Sequence, residues 1–160
     1  MSDQLRPRLD ARRTNERPHV LIVSDDPDLS GFLGEGLPLG GFWVSIIASG
    51  LQALEVFRLR QFDLLAIDHD LQGFDAMELL RRLRGVSRLD GGREKRTSAP
   101  AVLFVNGTMT PTGLEGLGVE RVFHPPVDLE SVVRELHAVF ATWRQDNPDA
   151  PLADSANLAF

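Results

Sequence analysis

Two short acidic sets stand out in this chain, each directly behind a run of apolar residues. Asp25 and Asp26 follow Val20–Val23 after a single serine, Ser24, while Asp68 and Asp70 follow Leu64–Ile67. An isolated loop carboxylate is usually a turn former or a helix cap, and Asp26 and Asp28 read that way. Carboxylates that converge from separate strands are different. At 4 Å, two of them repel by roughly 4 kcal/mol at an effective dielectric near 20. A hard cation relieves that repulsion, and magnesium takes such oxygen ligands while keeping several waters. A carboxylate beside the ion can act as a nucleophile toward phosphorus, with the ion neutralising charge on the transferring group. Asp25 and Asp68 are the pair for that chemistry, provided that their strands are neighbours.

The elements that must position them are legible. Val20–Val23 is short, apolar and β-branched, the pattern of a buried parallel strand. Asp26 or Asp28 then caps a helix through Leu37, with Leu29, Phe32, Leu33 and Leu37 at helical spacing. Gly31, Gly34 and Gly36 weaken this helix by up to about 1 kcal/mol each relative to alanine. Pro38 and Gly40-Gly41 end it. A second strand, Phe42–Ile47, precedes a helix that begins at Ser49-Gly50 and carries Leu51, Leu54 and Phe57. The third strand holds Phe62 and Leu64–Ile67 and stops at Asp68. Asp75 caps an amphipathic helix, with Met77, Leu79, Leu80 and Leu83 inside and Arg81, Arg82 and Arg84 outside.

Residues 85–99 form a long polar loop containing Arg93, Lys95 and Arg96, and a loop of that length is either functional or floppy. Ala101–Val105 reads as a fourth strand and Val119–Phe123 as a fifth. The segment between them is a poor helix, opposed by Pro111, Gly113, Gly116 and Gly118. Asp128 caps the last helix, whose apolar face carries Leu129, Val132, Val133, Leu136, Val139 and Phe140. Strands alternating with helices imply a doubly wound, five-stranded parallel sheet in a three-layer α/β/α arrangement. Ligands in such folds gather at the carboxyl ends of the strands, where strand order reverses, and both acidic sets fall at strand ends.

Composition sets the bounds. The 160 residues, 42% of them hydrophobic, suffice for one domain with a real core. Acidic residues outnumber Lys and Arg by 23 to 17, for a net charge of -6, which argues against a dedicated nucleic-acid binder. There is no cysteine, so disulfides and thiolate metal sites are excluded and a cytoplasmic location is expected. No apolar run approaches the roughly 20 residues of a membrane helix. Residues 1–18 read as a disordered, arginine-rich arm, 19–143 as the domain, and 144–160 as a flexible tail.

VLIVSDDPDL followed by FDLLAIDHDLQGFDAMELLRRLR resembles the receiver domain of two-component response regulators, over about His19 to Trp143. The resemblance implies a flavodoxin-like (βα)5 fold and no enzymatic turnover of its own. It implies that a histidine kinase, or another signalling protein, is the partner and that Asp68 is the phosphoacceptor. Magnesium would be held by Asp25, Asp68 and the backbone carbonyl of Asp70.

Four positions depart from the family pattern. Ser24 stands where the first acidic residue is expected, Val105 where a Thr or Ser would contact the phosphoryl group, Val122 at the aromatic switch position, and Pro125 in place of a lysine. His124, beside it, reads as a loop histidine without a role. The lost lysine contact alone is worth about 1.5–3 kcal/mol. Phosphorylation should therefore be slow and weakly coupled to shape, and the alternative is a pseudo-receiver that binds partners without it. The family often dimerises through the face of helix 4, strand 5 and helix 5. A remote alternative is a haloacid-dehalogenase-like phosphatase, to whose paired-aspartate motif Asp68 and Asp70 are similar. Leu71-Gln72 depart from that motif. With no output region in view after Trp143, the chain is expected to act as a stand-alone receiver without nucleic-acid or membrane contacts.

Overall fold

The central strands form because their sequences are apolar on both faces. In the structure, a computed structural model describing residues 16–92 and 94–153, all residues of β1 (His19–Val23) and β3 (Leu64–Asp68) are buried. The remaining strands are β2 (Trp43–Ile47), β4 (Ala101–Phe104) and β5 (Val119–Phe123). All pairings are parallel, and the order is β2-β1-β3-β4-β5. Order reverses between β1 and β3, which are direct neighbours with Val23 opposite Ile67. Ser24 and Asp68 are therefore brought together at the carboxyl edge of the sheet.

Helices α1 (Pro27–Leu39), α2 (Gly50–Val56), α3 (Ala76–Leu83) and α4 (Leu129–Asp146) cover the two faces. Leu54, Leu79 and Leu80 join Leu65 and Leu103 on one face, while Leu33, Leu37, Val132 and Leu136 join Ile22 and Val102 on the other. The helix starts follow capping chemistry. Asp26, Ser49, Asp75 and Asp128 each accept a backbone N–H of the first turn. Pro38 is accommodated inside the last turn of α1, which runs to Leu39. A Cβ on Gly36 would collide with Leu129, and one on Gly40 with Val133, so these glycines let α1 approach α4 closely. The sequence treated the α1 glycines as a helix weakness, whereas Gly36 is where the two helices touch.

Three further expectations are corrected. Four helices rather than about five are present among the described residues. Residues 106–118 form turns and coil, with positive φ at Gly107, Gly113, Gly116 and Gly118. The helix 4 of the expected dimer face is thus not formed, and that surface consists of coil, β5 and α4. Arg84, expected outside, is 7% exposed and donates to the carbonyls of Leu117 and Thr97. It pins both the 85–99 loop and the coil before β5.

Residues 16–18 of the expected arm are attached. Arg17 lies over the Trp43 ring at 4.4 Å and donates to Pro38 O, and Glu16 pairs with Arg144 at 2.9 Å. The last helix passes Trp143, and Ala153 N–H reaches the Asp63 carboxylate. Residues 1–15, Arg93 and residues 154–160 lie outside the described residues, and with them most of the expected arm and part of the expected tail. No helix among the described residues is long and apolar enough to cross a membrane.

Candidate functional site at the carboxyl edge of the sheet

Asp68 closes β3 and is 4% exposed, and both of its oxygens are engaged. Ser24 Oγ, just past β1, donates to Asp68 Oδ2 at 2.8 Å. The backbone N–H of Asp70 donates to Oδ1 at 2.9 Å, as a tight turn behind a strand end dictates. Ser24 is itself fixed. It is 3% exposed, and its oxygen accepts the Asp26 N–H at 3.1 Å. Each oxygen of this buried carboxylate thus accepts one hydrogen bond and keeps a second lone pair.

The remaining expected site residues are placed as follows. Asp25 is exposed and its Oδ2 accepts the Gln72 N–H at 3.2 Å, so it ties the loop after β1 to the loop after β3. The Asp70 carboxylate accepts the Asn106 N–H at 3.4 Å, and His69 Nδ1 stands 3.8 Å from it, beyond hydrogen-bond reach. Asp26 caps α1. Val105 is fully buried and donates its N–H to Phe123 O, and Val122 packs partly buried against the α2–α3 core. Pro125 lines a cavity of about 240 Å³ beside Asp68, with Leu29, Phe32, Phe104, Asn106 and Val127. His124 Nδ1 contacts Gly107 O at 2.9 Å, joining the loop after β5 to the loop after β4.

The fit of a divalent cation follows from these contacts. Each Asp68 oxygen accepts one hydrogen bond, from Ser24 Oγ or from Asp70 N–H, and Ser24 brings no charge beside it. Asp25 is turned to Gln72. No three His, Asp or Glu side chains gather as a metal group among the described residues. With Ser24 uncharged and Asp25 Oδ2 engaged by Gln72, the site is a weak fit for magnesium, for which Asp25, Asp68 and the backbone carbonyl of Asp70 are the candidate oxygens.

Several contributors carried no sequence signal. Ser24 was legible as a departure from the acidic pattern, but its hydrogen bond to Asp68 depends on β1 and β3 being adjacent. Glu78 is buried, accepts Ser87 Oγ at 2.5 Å and Arg82 at 2.7 Å, and so anchors the start of the 85–99 loop to α3. Burial would raise its carboxyl, but hydrogen bonds from Ser87, Arg82 and Arg81 outweigh this and hold it below the ordinary value. A polar residue three after a cap reads as a surface position, so nothing in the local pattern marks this one.

No family model matches the chain. It is 26% identical over 141 residues to the transcriptional regulatory protein TcrA of Mycobacterium tuberculosis, covering 87% of this chain and 51% of that protein. The chain spans about half or less of the length of such curated relatives. Among solved structures, a sensor protein from Polaromonas superposes with a TM-score of 0.62 at 27% identity, covering 79% of this chain and 98% of the other. A CheY-like response regulator receiver domain from Methylobacillus flagellatus gives 0.64 at 21%, covering 78% and 99%.

Proposed function

We propose that this chain, a receiver domain of the response-regulator type in two-component signalling, works through protein–protein contacts and accepts phosphoryl groups at Asp68 slowly or not at all. The observation that carries this reading is the Ser24 hydroxyl bonded to Asp68 Oδ2 at 2.8 Å. To become an acyl phosphate, a carboxylate oxygen of Asp68 must attack phosphorus while the bond to the leaving group breaks. The hydrogen bonds from Ser24 and from Asp70 N–H stabilise the carboxylate and so lower its nucleophilicity. Hydrogen bonds to charged groups are worth about 1.5–3 kcal/mol, and the part lost as charge moves from the carboxylate onto the phosphoryl group adds to the barrier. No lysine stands at Pro125 and no hydroxyl at Val105 to stabilise the incoming group. The partner is a histidine kinase or another signalling protein that reads the surface of the domain, and the domain acts in the cytoplasm.

Intact-mass measurement after incubation with acetyl phosphate and magnesium tests this, with Asp68→Asn as the control. The expected outcome is a trace adduct or none. A stoichiometric adduct that vanishes in Asp68→Asn would instead make the domain an ordinary phosphoacceptor.

A further inference from the structure

We infer that Asp68 is held in place without a divalent cation, and that Ser24 is the positioning residue that does the cation's work. The inference rests on the reading of Asp68 as the central carboxylate of the site. A magnesium ion there would have to orient the carboxylate and satisfy its outward lone pairs. The Ser24 hydroxyl already orients it from a buried position, and its own orientation is fixed by the Asp26 N–H. Asp70 N–H satisfies the other oxygen. Asp25, whose carboxylate would be the second anionic ligand, spends Oδ2 on Gln72 N–H instead. Magnesium keeps several waters and is held through only one or two carboxylates, so the charge missing at Ser24 weakens the site for it.

The residue at 24 therefore decides between two chemistries. A hydroxyl donates a proton to Asp68 and leaves a single buried carboxylate. A carboxylate in the same place would lie against Asp68 and repel it, and only a cation between them would make the pair stable. Ser24→Asp should convert a metal-independent site into a metal-dependent one.

Thermal unfolding of the full chain reads this directly, because an ion bound only by the folded state raises Tm as its concentration rises. Wild type, Asp68→Asn, Ser24→Ala and Ser24→Asp are compared in magnesium chloride and in EDTA. Wild type, Asp68→Asn and Ser24→Ala are expected to respond to magnesium alike, with no saturable rise in Tm. Ser24→Asp is expected to melt lower in EDTA and to recover with magnesium, a recovery that Asp68→Asn added to it abolishes. A saturable rise in wild-type Tm that Asp68→Asn removes would overturn the inference, and this comparison stands even if Ser24→Asp does not fold. A folded Ser24→Asp indifferent to magnesium would overturn the role given to Ser24. An Asp68 adduct formed in EDTA would overturn the slow-acceptor reading while leaving this one standing, so the two failures are distinguishable.

Discussion

Single buried residues set the behaviour of this domain with pH. His19 is 2% exposed, its ring bonded to Ser45 Oγ at 2.8 Å, and burial, helped by the nearby Arg60 charge, lowers it to about 4 from 6.5. The unfolded chain binds a proton at that histidine near pH 6.5, while the folded domain binds it only near 4. Between those values the unfolded state holds more protons, so stability is complete above pH 6.5 and is lost as pH falls toward 4. The slope should reach about 1.4 kcal/mol per pH unit in that window. Urea unfolding at stepped pH should show this limb in wild type and a flatter one in His19→Gln. Asp63 works in the opposite sense. Burial raises its carboxyl above 3.8 despite hydrogen bonds from His19 and Ala153, so just above that value the folded state holds the extra proton. Its contribution falls as pH rises, opposite in sign to that of His19.

Elements here are joined by contacts that propensity does not describe. Gly36→Ala should raise the intrinsic helix propensity of α1 by about 1 kcal/mol. The added methyl meets Leu129, however, and overpacking costs about 1–3 kcal/mol. The expected result is a lower denaturation midpoint, restored when Leu129→Ala is added. A rise in the midpoint for Gly36→Ala alone would mean that the Leu129 side chain swings aside from the new methyl. The segment between β4 and β5 shows the reverse case. Pro111 and the glycines announced a poor helix, and 106–118 forms turns and coil. Leu114 and Leu117 still pack on the α2–α3 core, and Arg84 holds the Leu117 carbonyl, so the coil covers the sheet where a helix was expected.

On the scale of the molecule, the start and end of the described chain meet at the amino edge of the sheet. Glu16 pairs with Arg144, Arg144 donates to Ala150 O, and Asp63 accepts the N–H groups of both His19 and Ala153. Asp63→Ala should leave the Ala153 amide without its acceptor. Hydrogen exchange at Ala153 and at His19, the two amides that Asp63 accepts, should then quicken several-fold while amides of β3 and the rest of β1 stay protected. Exchange at Ala153 as slow as in wild type would show that Asp63 is not the anchor. By itself, the sequence determined the architecture. Apolar runs of strand length, capping aspartates and periodic apolar faces are local signals, and β5 spans the residues they mark, Val119–Phe123. The sequence also marked Asp68, at a strand end, and the departures at Ser24, Val105 and Pro125. Only the tertiary structure decided what those residues do to one another. Ser24 and Asp68 lie 44 positions apart and meet because β1 and β3 pair. Arg84 and Glu78 are buried because distant carbonyls and hydroxyls come to them. A hydrogen bond between remote residues has no local periodicity to betray it, and it exists only once strand order fixes which chain ends are neighbours.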